Sequence, residues 1–253
     1  MGSTIKHRFL FTMKEQDPTP SDRPGLDFDG EYGRTYRWSI RNSVPGYDSL
    51  IEISAAALQQ AVPPAASILV VGPGLGEELL PLLPALPQTR FTLLEPSTQM
   101  REACTREIAA AGAAARCELL AQSLEAGLDP PGGPFDAVVC HNVVHLTPPE
   151  SQLDLLQTLA TCVQPGGVLM LSAHSEPADD TAFEGLLAIA CTRLRQRGLP
   201  ETKIEQMMAS RNTLVFSLDQ SQLEAGLAAA GMEPPLLLQQ SLFSRLWLSR
   251  RPA

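Results

Sequence analysis

Short apolar segments alternate with longer amphipathic segments through the central part of the chain. The apolar segments have the length and character of buried strands and cover residues 67–71, 90–95, 117–121, 135–141 and 167–172. Helical patterns lie between them, and the clearest runs from Ser97 to Gly112. Because strands that alternate with helices at this spacing form βαβ units, we predict an α/β fold built on a doubly wound parallel sheet.

The N-terminal part of the chain departs from this alternation. Residues 1–34 are polar and rich in proline and glycine, which predicts a mobile arm or lid. A helical pattern follows from Tyr36 to Gln60 and is interrupted at Pro45-Gly46. We therefore predict an N-terminal helical cap on the sheet.

The C-terminal part predicts an insertion and a closing strand pair. Helical stretches at about 180–197 and 201–210 form the predicted insertion. Residues 217–220 read Ser-Leu-Asp-Gln, which is the form of a capping box at the start of one more helix. Residues 235–240 and 242–249 are close enough to pair as antiparallel strands, which gives a seven-stranded sheet. We expect residues 35–253 to form one domain.

The composition excludes several classes of protein. Hydrophobic residues make up 44% of the 253 residues and charged residues 19%, which is the balance of a globular domain. A net charge of −9 argues against nucleic acid as a partner, because clustered Lys and Arg hold a phosphate backbone. No apolar run approaches the roughly 18 residues of a membrane span, and the N-terminus lacks a signal-peptide core.

The cysteines indicate the compartment. There are five, an odd number, and they are widely spaced without a CxxC pair. This pattern favours neither a disulfide framework nor a thiolate zinc site. We therefore expect reduced thiols and a cytoplasmic location.

A glycine-rich turn, Gly-Pro-Gly-Leu-Gly at residues 72–76, follows the first predicted strand. Glycines let the backbone approach a ligand where a Cβ atom would collide, and the start of the next helix offers unpaired N–H groups. The next strand ends in Glu95, nineteen residues after Gly76, where a carboxylate can accept two hydrogen bonds from a ribose diol. The alternative for Glu95 is an acid that caps the following helix.

This turn differs from the turns that bind phosphate groups. A dinucleotide site has a small third residue in G-x-G-x-x-G/A, whereas this chain has Glu77 there, which would repel a pyrophosphate. No GxxxxGK[ST] sequence occurs, which excludes a P-loop. The residues therefore favour a ligand with an adenosine ribose and no phosphate.

Two histidines and an asparagine follow the fourth predicted strand. His141 and His145 are four residues apart, so a helical turn there would place both on one face. Three roles are open: a polar wall of the active site, structural histidines at the sheet edge, or a metal-binding pair. We expect no metal, because neither a third ligand nor an HExxH sequence is evident. Asn142 offers a donor and an acceptor, and we predict His145 and Asn142 as the catalytic residues.

With these features the chain resembles the class I S-adenosylmethionine-dependent methyltransferases over roughly residues 35–250. The resemblance is carried by Glu95 and by residues 70–76, 135–139 and 164–169. It implies a Rossmann-like fold and S-adenosylmethionine (SAM) as the cofactor. This superfamily usually has an acid two residues before the first glycine of the turn, where this chain has Val70.

A narrower resemblance, to carboxy-S-adenosylmethionine synthases, rests on residues 43–47 and on the tail from about 203 to 248. It implies that Tyr47 contacts the amino-acid end of the cofactor, that Glu95-Pro96 holds the ribose and that Gln122-Ser123 flanks the adenine. His141 stands where these synthases have an asparagine that contacts the cofactor. Together with the glycine turn, the expected cofactor site comprises Tyr47, Gly72, Pro73, Gly74, Gly76, Glu95, Pro96, Gln122, Ser123 and His141. The Lys-Arg pair of these synthases falls on Gln206-Met207, so the arginine that would read the extra carboxylate is absent.

The first functional hypothesis is an enzyme that transfers the methyl group of SAM to a small molecule, for which the protein supplies alignment and a dry cavity. In the second, SAM is itself the substrate. Its amino group attacks its own γ-carbon to give azetidine-2-carboxylate and methylthioadenosine, or the chemistry is like that of carboxy-SAM synthase. The third is a non-catalytic SAM-binding protein. No membrane or nucleic-acid partner is expected, and the oligomeric state is left open, with a homodimer as one option.

Overall fold

Seven strands form one mixed sheet in the computed structural model, which describes residues 26–125, 130 and 132–253. In chain order the strands are β1 (Ser67–Val71), β2 (Arg90–Leu94), β3 (Cys117–Leu120), β4 (Phe135–His141), β5 (Val163–His174), β6 (Leu236–Ser241) and β7 (Ser244–Arg250). Across the sheet the order is β3-β2-β1-β4-β5-β7-β6. The first five strands are parallel, and β7 is antiparallel to both β5 and β6.

Helices cover both faces of the sheet. In chain order they are α1 (Glu31–Ser43), α2 (Tyr47–Ala61), α3 (Leu79–Ala85), α4 (Thr98–Ala110), α5 (Pro149–Thr161), α6 (Asp180–Gln196), α7 (Glu201–Ala209) and α8 (Gln220–Ala229). One apolar core packs α1 to α4 against one face, and a second packs α5 and α8 against the other. The predicted α/β, doubly wound, Rossmann-like fold is confirmed.

The strand order places a switch point between β1 and β4. From β1 the chain runs outward through β2 and β3, and then returns to β4 on the other side of β1. In such sheets ligands bind at the carboxyl ends of the strands beside this point. Val71 pairs with Cys140, so the first glycine of the turn, Gly72, lies beside His141.

Several predicted boundaries differ from the observed ones. The fifth strand begins at Val163 rather than at residue 167, because it continues past Pro165 and the two glycines after it. Helix α1 begins at Glu31, ahead of the predicted start at Tyr36. Residues 1–25 of the predicted arm lie outside the described residues. In the part of the chain that the structure describes, no helix is long and apolar enough to cross a membrane.

The predicted capping box at residues 217–220 is wrong. The cap of α8 is Asp219, whose carboxylate accepts hydrogen bonds from the backbone N–H groups of Ser221 and Gln222. Ser217 instead accepts a hydrogen bond from the backbone N–H of Glu176 at 2.8 Å. The serine is therefore engaged by the loop after β5, and the next acid along the chain caps the helix.

Candidate functional site

The glycine turn after β1 has left-handed backbone conformations, and it is closely packed at Gly72. Gly72 has φ of +70°, and a Cβ atom there would lie 2.5 Å from Cγ2 of Val143. Gly74 also has positive φ, and a Cβ atom there would lie 3.7 Å from Cε1 of Tyr36 on α1. Both positions therefore favour glycine for backbone geometry, and Gly72 also for space.

Glu95 ties the end of β2 to this turn. Its Oε2 atom accepts a hydrogen bond from Gly74 N at 3.0 Å, and its Oε1 atom accepts one from Ser97 N at 2.9 Å. The side chain is buried, which raises its pKa, while these two backbone bonds act in the opposite direction. A carboxylate has about four acceptor positions, so two remain for a ribose diol. The bond to Ser97 also fits the capping alternative, because Ser97 is the cap of α4.

Glu77 is buried beneath α1 and paired with its arginines. One carboxylate oxygen lies 3.0 Å from Nη1 of Arg41 and 3.1 Å from Nη1 of Arg37. The acid expected to repel a pyrophosphate therefore holds helix α1 over the glycine turn.

His141 is the last residue of β4 and lies on the sheet face covered by α1 to α4. Alternation along the strand puts it on the same side as Val139, in the core that also contains Tyr47. Nδ1 of His141 lies 3.2 Å from Oγ of Ser172, and Nε2 is buried without a partner among the described residues. Burial lowers the pKa of His141 to about 3, so the imidazole is neutral at physiological pH.

Glu78 is a buried carboxyl group that the sequence did not single out. It directly precedes α3, and its Oε1 atom is buried with no partner within the described part of the chain. Burial, and secondarily the charge of Glu95, raises the pKa of Glu78 to about 8. A cation placed nearby would favour the ionised form of this carboxyl group.

The other predicted cofactor residues surround this centre. Tyr47 is the buried first residue of α2, and the Arg41 guanidinium lies 5.3 Å from its ring centroid. Pro73 is buried in the glycine turn. Pro96 after β2, and Gln122 and Ser123 after β3, are exposed at the same edge of the sheet.

A cavity of about 610 Å³ lies next to the turn, between α1, α6, α7 and the loops after β4 and β5. Its lining is mainly apolar and includes the rings of Phe28, Tyr32, Tyr36, Phe183 and Phe243. The two predicted catalytic residues, Asn142 and His145, also line it. None of the ten predicted cofactor residues does. The catalytic and cofactor predictions thus fall on two adjoining regions.

The helical turn that would place His141 and His145 on one face does not form. His141 ends a strand, Asn142 has φ of +58°, and His145 belongs to a short 3₁₀ turn (Val144–Leu146). The left-handed residue between them redirects the chain. Among the described residues no cluster of His, Cys, Asp or Glu has the arrangement of a metal site.

Hydrogen bonding defines the tautomer of His145. The backbone N–H of His174 donates to Nδ1 of His145 at 3.2 Å, so Nδ1 is the acceptor and Nε2 carries the hydrogen. Burial, with a smaller effect of His174, lowers the pKa of His145 to about 3. His145 is therefore a neutral hydrogen-bond donor at the cavity wall.

The sequence reasoning missed a polar group on the same wall. Nε2 of His174 lies 3.0 Å from Oε1 of Glu176, and Arg211 binds both oxygens of Glu176 at 2.7 Å. All three residues line the cavity. The only sequence signal was the His-x-Glu spacing after β5, because Arg211 is 35 residues further along the chain.

Comparison with known proteins identifies the fold and gives a partial family match. Residues 69–169 match a family described as a methyltransferase domain. Among solved structures, an O-methyltransferase family protein from Burkholderia thailandensis has a TM-score of 0.64 and 19% identity, covering 87% of this chain and 59% of that one. Magnesium protoporphyrin IX methyltransferase from Synechocystis PCC 6803 with bound S-adenosylhomocysteine has a TM-score of 0.64 and 17% identity, covering 88% and 96%.

Curated proteins support the narrower resemblance. Carboxy-S-adenosyl-L-methionine synthase of Marinobacter nauticus is 29% identical over 152 residues, which are 57% of this chain and 58% of that relative. The protein of the same name from Vibrio cholerae is 26% identical over 191 residues, which are 74% and 76%. The match thus spans less than two thirds of the first of these relatives.

The chain has the class I methyltransferase fold, and its residues 69–169 match the methyltransferase-domain family. Within this class it is similar to carboxy-S-adenosylmethionine synthases, as the sequence predicts.

Proposed function

We propose that this protein is a SAM-dependent methyltransferase that methylates a small, largely apolar molecule. The observation that carries the proposal is the cavity of about 610 Å³ beside the glycine turn. Tyr36 joins the two regions, because its ring packs against Gly74 and also lines the cavity. A cofactor on the turn and an acceptor in the cavity would then meet near Asn142.

The residues at the turn fit SAM chemically. Glu95 keeps two acceptor positions for a ribose diol, and Gly74 leaves room for a close backbone approach. The amino-acid end of SAM carries a carboxylate and an amine. Nε2 of His141 and Oε1 of Glu78, which are buried without partners among the described residues, are available to bind these two groups. When bound, SAM supplies a methyl group on a sulfonium, whose positive charge activates the sulfur as a leaving group.

The chain itself contributes position and exclusion of water. The aromatic and aliphatic lining favours an acceptor with apolar surface, because such surface is released from water on binding. Nε2–H of His145 and the amide of Asn142 offer hydrogen bonds that orient a polar atom of the acceptor. The cytoplasmic location and a small-molecule partner belong to this proposal.

A second candidate is an enzyme for which SAM is the only substrate. Two observations favour it: the curated relatives are named for the synthesis of a modified SAM, and Glu78 offers a buried carboxyl group as an acceptor for the SAM amine. The carboxy-transfer version has less support. Gln206 and Met207, which replace the Lys-Arg pair, line the cavity, and the nearby Arg211 is already paired with Glu176.

Incubation with SAM separates these candidates. Purified protein is incubated with SAM alone and with SAM plus a panel of small aromatic and aliphatic acceptors, and products are compared by mass spectrometry with an enzyme-free blank. The first candidate predicts S-adenosylhomocysteine and a methylated product only when an acceptor is present. The second predicts methylthioadenosine above the blank without an acceptor.

Calorimetry with S-adenosylhomocysteine supplies the control. Binding without either product would favour the remaining alternative, a non-catalytic SAM-binding protein. Absence of binding would contradict all three hypotheses.

A further inference from the structure

The two histidines on the cavity wall offer different atoms. His145 has the hydrogen on Nε2 because its Nδ1 accepts the backbone N–H of His174. The other nitrogen is engaged in His174, because its Nε2 lies 3.0 Å from the Glu176 carboxylate. An anionic acceptor on Nε2 stabilises the hydrogen there and leaves the lone pair on Nδ1. His145 is thus a donor, and His174 an acceptor.

Glu176 is ionised in this arrangement. Partial burial alone would raise its pKa, but hydrogen bonds from His174 and Arg211 outweigh this effect and hold the pKa at about 2. The Glu176 side chain is 10% exposed, whereas His174 is 26% exposed. The carboxylate is therefore shielded beneath an imidazole that remains accessible.

The surroundings of the pair are aromatic and nearly neutral. The ring of His174 lies 5.3 Å from that of Phe243, and the Arg211 guanidinium lies 4.2 Å from the ring of Phe183. The charged or titratable groups in contact with His174 or its partner are His145 from the loop after β4 and the Glu176–Arg211 pair, and Glu184 on α6 interacts electrostatically with Arg211. Arg211 is already paired with Glu176, whereas Arg193 and Lys203 also line the cavity.

We propose that His174 and Glu176 are the base for a neutral aromatic hydroxyl compound, a phenol, bound in the cavity. This inference rests on the proposed methyltransferase function. The phenol oxygen accepts hydrogen bonds from Nε2–H of His145 and the amide of Asn142, and its proton moves to Nδ1 of His174. The oxygen forms a bond to the methyl carbon of SAM as the carbon–sulfur bond breaks, and the sulfur keeps the bonding electrons. S-adenosylhomocysteine and the aryl methyl ether leave, and the imidazolium returns the proton to water.

The test uses the full chain saturated with S-adenosylhomocysteine and 4-nitrophenol as the probe. The phenolate form of this probe absorbs visible light and the neutral form does not, so the band reports the proton. At pH 6, where most of the free probe is neutral, we expect binding to the wild type to increase the phenolate band. His174→Gln should bind the probe within about fivefold, the effect of one neutral hydrogen bond, and should show no such increase.

Two further variants keep the test decisive. His145→Gln retains a hydrogen-bond donor and should keep the phenolate band. This result would assign the base to His174 rather than to His145. His174→Phe keeps the stacking on Phe243 and removes both nitrogens, so it replaces His174→Gln if that variant does not fold. With SAM as co-substrate, either His174 variant should lower kcat for 4-nitrophenol by about 10²–10⁴-fold.

The outcomes separate the two proposals. If S-adenosylhomocysteine binds but the wild type does not bind 4-nitrophenol, or if His174→Gln shows the full phenolate band, the base assignment is overturned. If S-adenosylhomocysteine does not bind, the proposed methyltransferase function fails first. Thermal unfolding of each variant with and without S-adenosylhomocysteine shows whether the cofactor site remains intact.

Discussion

The carboxylate of Glu95 accepts a hydrogen bond from the backbone N–H of Gly74 at 3.0 Å, across a separation of 21 residues. This bond joins the end of β2 to the turn after β1. It orients the acid at the switch point of the sheet and leaves two of its acceptor positions open. The same side chain thus organises the turn and is available to a ribose.

Replacement of Glu95 by alanine should weaken binding of S-adenosylhomocysteine. Loss of a hydrogen bond to a charged acceptor costs roughly 1.5–3 kcal/mol, so we expect the Kd measured by calorimetry to rise about 10- to 150-fold for each ribose hydrogen bond that is lost. Glu118→Ala is the matched control, because Glu118 is an exposed acid on β3. Equal affinities for the wild type and Glu95→Ala would remove Glu95 from the binding site.

Replacement of Glu78 by glutamine should change how stability depends on pH. The pKa of Glu78 is raised from 4.5 to about 8, so the neutral form stabilises the fold below pH 4.5 and this stability is lost as pH rises to about 8. At about 1.4 kcal/mol per pKa unit, the loss has an upper bound of about 5 kcal/mol. Urea denaturation at pH 5 and pH 9 should therefore show a smaller decrease for Glu78→Gln than for the wild type. Glu52→Gln, on the exposed face of α2, should behave as the wild type.

For the two buried histidines, we predict that the stability of the fold decreases as the pH becomes acidic. The pKa values of His141 and His145 are lowered from 6.5 to about 3, so the unfolded chain binds their protons first and stability falls as pH decreases from 6.5 toward 3. His141→Asn removes one of the two groups and should about halve their joint contribution to the slope between pH 6 and pH 4. Denaturant titrations across this range measure the slope, and an unchanged slope would contradict the burial of His141.

Replacement of Gly72 by alanine should be more destabilising than the same change at Gly112. Both glycines have positive φ, at +70° and +66°, but a Cβ atom at Gly72 would lie 2.5 Å from Val143 and one at Gly112 would meet nothing within 4 Å. Gly112→Ala should therefore cost only the conformational penalty of about 1–2 kcal/mol, and Gly72→Ala should cost more. The double variant Gly72→Ala/Val143→Ala should recover the excess in a double-mutant cycle, whereas additive effects would exclude the contact.

The local parts of the fold were predictable because they depend on neighbours in sequence. Runs of β-branched and aliphatic residues defined β1 and β4 within their observed bounds, and the glycine turn followed from the conformational freedom of glycine. The spacing of Glu95 from Gly76 placed an acid beside the turn because parallel strands end at one edge. The prediction of a capping box at residues 217–220 was wrong because Ser217 and Asp219 are both good caps. The loop after β5, which is distant in sequence, donates a hydrogen bond to the serine, and the aspartate caps the helix.

The sequence by itself determined the doubly wound sheet, the glycine turn and the acid beside it, because backbone propensity and hydrophobic periodicity act over a few residues. Only the tertiary structure decided what the titratable side chains do. Burial makes His145 a neutral donor, and the segment after α7 brings Arg211 to Glu176 and leaves His174 as the acceptor. These properties depend on solvent exclusion and on contacts between residues tens of positions apart, which no local pattern in a single sequence encodes.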